Sequence, residues 1–320
     1  MTQAFDTLEE IAQRYGAASA LRVPAWALGT VRRRSITFAT GVEDTKTFVA
    51  WVQSHGMTGD LRIHPARPKL RVSDRLEDLD LKSLVWLASV EGGTAATSWS
   101  DGVMSWADWI GFQPYDKYPE PGLMQRIGDC MIEFAPSGMY VEDWRFQDSR
   151  PGPLAGLRLV SETAADGLQY ARSGGFVITG DHVILAMARR QELPDGTRAQ
   201  DFVEQAADPV AALRRVLDCT VDYSIRHGAR RIISVSTDPR REGSECKLLE
   251  SLTFGASANL LVEKVTGEEG VRSRLWRIDS LESAHEFGRS TSAPDDGLAW
   301  LQREADTLLN PISIATDWAA

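Results

Sequence analysis

Between residues 28 and 147 apolar residues recur at every second position, in short runs broken by turn residues. That period belongs to strands with one face buried, and it excludes a helical bundle for this part of the chain. Segments 34–39, 45–53, 59–64, 83–90, 94–99 and 103–110 read as strands. Ser54-His55-Gly56, Gly92-Gly93 and Ser100-Asp101-Gly102 read as the turns between them. The clearest hairpin spans 129–147, with Pro136-Ser137-Gly138 as a three-residue turn. With Ala135 facing Met139, Cys130, Ile132, Phe134, Tyr140, Glu142, Trp144 and Phe146 share one face. Asp129, Met131, Glu133, Val141, Asp143 and Arg145 share the other. Asp129 opposite Arg145 is then a cross-strand ion pair. About eight strands and no long helix suffice to close an antiparallel barrel that holds side chains or one small ligand.

Ser149-Arg150-Pro151-Gly152-Pro153 reads as a linker, and a second set of strands follows it. These are 154–162, 175–179, 182–190, 219–226, 231–237, 247–254, 257–265 and 272–280. Asp208-Pro209 opens a helix to about Leu217, with aspartate as cap and proline at the first position. The expectation is therefore an N-terminal helix and lead-in over 1–27, a first barrel over 28–150 and a second barrel over 151–320. Thr7 and Glu10 form a capping box for the first helix, which carries Leu8, Ile11, Ala12 and Tyr15 on one face and ends at Gly16. Segment 295–309, with Leu298, Leu301, Ala305 and Leu308 on one face, reads as a C-terminal helix stopped by Pro311. Two internal alignments compete. One sets 129–134 against 218–223, and the other sets 140–145 against 273–278.

The net charge of −10 argues against a nucleic-acid partner, whose phosphates need a basic face. No run is long and apolar enough for a membrane helix, and the acidic start lacks a signal-peptide core, so the expected location is the cytoplasm. Cys130, Cys219 and Cys246 form no CxxC pair, and the five histidines show no HxH or HExxH spacing. GxGxxG, GxxxxGK[ST] and GxSxG are all missing. No cofactor or metal is expected. His64 and His182 are solitary imidazoles, better suited to surface or capping roles than to ligation. Cys130 has no evident base and reads as an inert thiol.

Several short motifs carry a family resemblance. They are Gly59-Asp-Leu-Arg-Ile63, Val85-Trp-Leu-Ala-Ser-Val-Glu-Gly-Gly-Thr-Ala-Ala-Thr-Ser-Trp99, Met104-Ser-Trp-Ala-Asp-Trp109, Tyr140-Val-Glu-Asp-Trp-Arg-Phe146, Leu217-Asp-Cys219 and Ser236-Thr-Asp-Pro-Arg-Arg-Glu-Gly243. Together they resemble a mainly fungal family of paired lipocalin-like (calycin-like) barrels, with bacterial relatives, described as partners of a casein kinase. In the last motif the family places an aromatic where Arg240 stands here. The resemblance implies a mainly β fold: two lipocalin-like antiparallel β-barrels in tandem, with short N- and C-terminal helices. It implies almost nothing about chemistry.

Residues 99–122 concentrate six aromatics, where the chain average of 8% would place about two. If 103–110 is a regular strand, Met104, Trp106, Asp108 and Ile110 face inward, and Trp109 faces out. Asp108 would then join Glu142 inside the barrel, amid Trp106, Tyr140 and Trp144. A carboxylate among rings has a raised pKa and can act as an acid or base. The same acids also fit a structural plug neutralised by Arg62, Arg126 or Arg145. The tryptophans fit core filling as well as a pocket wall. The proline-rich loop 113–122 fits either a lid or an ordered connector. The expected function is binding of a small apolar or aromatic molecule by Trp86, Trp99, Trp106, Trp144, Tyr115 and Arg126. One alternative is a cofactor-free acid/base enzyme (isomerase, dehydratase, lyase or cyclase) using Glu142, Asp108 and Tyr140. Another is an interaction module with a solid core. A homodimer or a protein partner fits any of the three.

Overall fold

A computed structural model describes residues 8–15, 22–114, 120–194, 196–267 and 270–288, with the single positions 299, 302 and 303. The chain is mainly β. Helix α1 (Leu8–Tyr15) precedes the first sheet, built from β1 (Gly29–Phe38), β2 (Glu43–Asp44), β3 (Phe48–Gln53), β4 (Met57–Ile63), β5 (Glu91–Ser100), β6 (Val103–Gly111), β7 (Gly122–Ile127), β8 (Cys130–Phe134) and β9 (Tyr140–Phe146). Each strand pairs antiparallel with the next, apart from the two-residue β2, which hangs on the edge of β1. β9 returns to β1, so eight strands close a barrel. The β5–β6 turn has Asp101 at φ 51° and Gly102 at φ 84°, the two left-handed positions that a two-residue hairpin loop requires.

Segment 83–90, expected as a strand, is instead helix α2 (Leu81–Ala88), between β4 and β5. The Asp80 carboxylate caps it by accepting from the Ser83 N–H at 2.8 Å. Leu84, Leu87 and Ala88 bury one face at helical spacing. A short apolar run has no period that separates a strand from a buried helix, and here the cap decides.

The second half holds β10 (Gly152–Thr163), β11 (Gln169–Tyr170), β12 (Gly174–Thr179), β13 (His182–Met187), α3 (Ala199–Glu204), α4 (Pro209–Leu217), β14 (Thr220–His227), β15 (Arg230–Ser236), β16 (Leu252–Phe254), β17 (Leu260–Gly267) and β18 (Gly270–His285). Asp208 caps α4 as anticipated, accepting from the Ala211 N–H at 3.0 Å. Helix α3 had no counterpart in the sequence reading, and only Leu252–Phe254 of segment 247–254 is a strand. The sheet runs β15-β14-β13-β12-β10-β18-β17-β16, with β11 on the edge of β10. It is not closed, because β15 and β16 do not pair. Of the expected C-terminal helix over 295–309 only positions 299, 302 and 303 are described, all three helical, and the Thr7 cap lies outside the described residues.

The halves share one plan. Each opens on a long strand bearing a two-residue side strand, carries helix α2 or α4 between its third and fourth main strands, and ends on a hairpin that returns to the first strand. The return pairing is bulged at the same place, between Arg33 and Ser35 and between Leu159 and Ser161. Trp144 opposite Arg33 therefore matches Trp276 opposite Leu159. The alignment of 140–145 with 273–278 finds the corresponding strands, β9 and β18, but is one residue out of register, since it sets Trp144 against Arg277. The alignment of 129–134 with 218–223 does not find corresponding strands, since β8 and β14 hold different places in their sheets.

The outer faces of β3 and β4 pack on the second half. Ala50, Val52, Met57 and Leu61 join Val177, Ile184, Ala186 and Tyr223 in one buried cluster, closed on one side by α2 and α4. This leaves the inner faces of β3 and β4 free to line the barrel. Among the described residues no helix is long and apolar enough to cross a membrane.

Candidate functional site

A cavity of about 140 Å³ lies inside the barrel. Strand alternation assigns its wall. Thr58, Asp60 and Arg62 line it from β4, and Tyr140, Glu142 and Trp144 from β9. Trp51, Trp106 and Trp109 complete an aromatic surface. Trp51 stands edge-on to both Trp144 and Trp106, with ring centroids 5.3 and 5.7 Å apart. The mouth is reached by Gln113 after β6 and by Arg198 and Gln200 at the start of α3, so the second half contributes to it. Gln113 ties that rim together. Its amide donates to the Ala88 and Val90 carbonyls at 2.9 and 2.7 Å and accepts from the Ala199 N–H at 3.1 Å.

Glu142 is buried as expected, but its partner is Glu133, not Asp108. Pro136 to Met139 make a four-residue loop, with the Ala135 N–H donating to the Tyr140 carbonyl at 3.0 Å. The pairs are thus Glu133 with Glu142 and Met131 with Trp144. One residue of slip turns β8 over. Met131 and Glu133 go into the barrel, while Cys130 moves outward beside Arg145. The Arg145 guanidinium bonds Asp143 at 2.9 Å and stands 4.0 Å from Asp129, so the expected ion pair is a secondary contact.

The structure does not bring Asp108 into the cavity. Ala107 pairs with Ala96 and Ile110 with Thr94, so Asp108 and Trp109 together oppose Ala95 alone. This β-bulge puts Asp108 at φ 53° and exposes its side chain, while Trp109 reaches the cavity wall. Aspartate is among the few residues that tolerate this backbone, and the flanking glycines leave room for the ring. A Cβ on Gly93 or Gly111 would lie 2.9 or 2.0 Å from the Trp109 indole.

Trp106, Trp144, Tyr140 and Glu142 do line the cavity. Three other proposed contacts do not. Trp86 sits on α2 and stacks on His64, with centroids 4.9 Å apart. Trp99 packs against Trp26 at 5.5 Å, in the apolar cluster at the opposite end of the barrel. Arg126 belongs to that end too, donating to the Trp26 carbonyl at 2.9 Å and lying over the Phe146 ring. Tyr115 is outside the described residues. His182 is buried against Tyr223, its ring nitrogens 2.8 Å from that hydroxyl and 2.9 Å from the Asp148 carbonyl.

Glu133 carries the unusual chemistry. It is buried, and its oxygens accept from the Tyr140 hydroxyl and the Trp144 indole N–H, both at 3.2 Å. Burial and the Glu142 charge push its pKa well above the usual carboxylate range, against the pull of Arg62, and the two acids share a hydrogen bond. Glu142 pairs with Arg33 at 2.7 Å, and Arg33 also bonds Asp44 at 2.9 Å. Burial and the Glu133 charge raise the Tyr140 phenol, which stays a neutral donor. Burial works against the Arg62 charge, but Asp60, Glu142 and Glu91 outweigh it and raise its pKa well above normal. Only Glu142 of this acid pair was visible from alternation. The signal for Glu133 lay in the hairpin loop length.

The second half repeats the motif with a different filling. Trp276 donates to Glu263 at 2.9 Å, as Trp144 does to Glu133. Arg274 stands where Glu142 stands, and Glu162 where Ile36 stands. Arg274 bonds Glu162 at 2.7 Å and lies 3.4 Å from Glu263, so an ion network occupies the space that is open in the first half. Comparison of the chain with protein-family models, curated proteins and solved structures returned no match.

Proposed function

We propose that the N-terminal barrel binds a small, largely aromatic molecule. The observation that carries this reading is a cavity walled by four tryptophans and a tyrosine, with two facing carboxyl groups at its base. Small-molecule sites combine apolar walls with a few fixed polar groups in this way. An engineered cavity of about 150 Å³ holds benzene, so the enclosed part suits one ring. The second half is read as a diverged, open lipocalin-like sheet filled by its own ion network, and the strand plan it shares with the first half supports the resemblance to paired lipocalin-like proteins. Native mass spectrometry of freshly purified protein tests the binding reading. An extra mass lost on denaturation and missing in Trp106→Ala supports it. A clean mass, with no uptake from a panel of monocyclic aromatics, sinks it.

A second reading, acid/base catalysis without a cofactor, is favoured by Glu133. A neutral carboxylic acid beside a carboxylate can donate a proton while its neighbour accepts one. In this reading Glu133 and Glu142 exchange the proton with substrate and Tyr140 orients it by a hydrogen bond. Turnover lost in Glu142→Gln with binding retained separates catalysis from binding.

A further inference from the structure

We infer that the ligand of this pocket is a compact organic cation, an ammonium carried on or beside a single ring. The inference rests on the small-molecule reading above and deepens it. Its basis is an imbalance of partners. The cavity lining presents four carboxyl groups, Asp60, Glu91, Glu133 and Glu142, against two guanidinium groups, Arg62 and Arg198. Arg62 bonds Asp60 at 3.1 Å, and Arg198 bonds Asp201 at 2.6 Å. Behind the wall, Arg33 is shared between Glu142 and Asp44. Among the described residues no lysine or arginine lies within ion-pairing distance of Glu133 or Glu91.

Two further features suit the same ligand. Four indoles and a phenol present π surfaces, and tryptophan is the best of the aromatic partners for a cation. The Thr58 hydroxyl is buried in the wall and has no hydrogen-bond partner among the described residues, leaving an acceptor for an N–H. A neutral aromatic would leave Glu133 and Glu142 holding a proton between them. A cation replaces that proton. The bond broken is Glu133 O–H, the proton passes to solvent, and the ammonium takes its place against the carboxylate.

Isothermal titration of the full chain at pH 7.5 with benzylammonium, benzyl alcohol and benzoate tests this. Benzylammonium should bind about tenfold or more tighter than benzyl alcohol, and benzoate not measurably. Its heat should vary with the ionisation enthalpy of the buffer, reporting proton release. Glu133→Gln should abolish that release and weaken benzylammonium about tenfold, leaving benzyl alcohol within a few-fold. Should Glu133→Gln fail to fold, Glu91→Gln on the rim should still weaken benzylammonium selectively. Benzyl alcohol binding as tightly as benzylammonium overturns the cation while keeping the pocket. No binding of any of the three at millimolar concentration overturns both.

Discussion

Glu133 and Glu142 stand directly opposite each other on β8 and β9, both pointing into the barrel. Like charges facing each other across a ladder are destabilising, so a proton held between them is part of the folded state. The sign follows from Glu133. Its folded pKa is raised by burial and by Glu142, so between the ordinary carboxylate value and that raised value the folded protein holds a proton that the unfolded chain has lost. Stability from this group is full at low pH and drains as pH rises through the window. Glu133→Gln keeps a donor to Glu142 and removes the ionisation. Its melting temperature relative to wild type should climb from pH 4.5 to pH 8. Parallel stability curves would contradict the shared proton.

The bulge at Asp108 admits a sharper test. Asp108 occupies a left-handed conformation at φ 53°, and its exposed side chain is not aimed at the cavity. Asp108→Gly should be neutral or stabilise by a few tenths to about 1 kcal/mol, and ligand affinity should hold. Asp108→Val should cost about 1–2 kcal/mol and weaken binding, because a β-branched residue resists this backbone and the bulge is what carries Trp109 to the wall. Melting curves of the two variants, with titration of a ligand found by mass spectrometry, decide it. Equal behaviour of the two would remove the bulge from the site.

These two sites also mark where the sequence was readable. Alternation gave seven of the eight strands of the barrel, missing β7 beside the proline-rich loop, and it gave the burial of Glu142 and the inward Trp106, Tyr140 and Trp144, because a regular strand needs only its period. It misplaced Asp108 and missed Glu133 for one shared reason. Side-chain direction flips with each inserted residue, and neither the bulge nor the fourth loop residue Met139 changes the composition of its segment. Helix α2 was lost differently, since its apolar run reads as well for a buried strand. The open second sheet reflects hydrogen bonds that β15 and β16 do not make with each other, and no local pattern encodes a missing pairing.

The Arg33–Glu142 pair should behave as a buried ion pair. Both side chains are almost wholly shielded, at 6% and 3% exposure. Arg33→Met leaves Glu142 beside Glu133 without its ion-pair partner, and should cost about 3–5 kcal/mol. Glu142→Gln added to Arg33→Met should recover most of that loss, since the charge needing a partner is gone. Chemical denaturation of the two single variants and the double variant gives the coupling. Additive losses would mean that the pair contributes no more than a surface bridge.

The contact between the halves depends on glycines that admit side chains from the other sheet. A Cβ on Gly175 of β12 would lie 2.1 Å from the Thr94 hydroxyl of β5, and one on Gly59 of β4 would lie 2.7 Å from the Ile184 side chain of β13. Neither glycine has a positive φ, so the requirement is space and not backbone freedom. Gly59→Ala and Gly175→Ala should each cost about 1–3 kcal/mol by overpacking a close sheet-to-sheet contact. Because β4 carries Thr58, Asp60 and Arg62 on its other face, Gly59→Ala should also weaken ligand binding, whereas Gly175→Ala, on a strand that does not line the cavity, should leave it nearer wild type. Thr94→Ala beside Gly175→Ala removes the hydroxyl and the methyl of that contact and should restore part of the stability, while doing nothing for Gly59→Ala. Unchanged melting in both alanine variants would show that the sheets pack with slack, and that the wall formed by β4 does not depend on the second half.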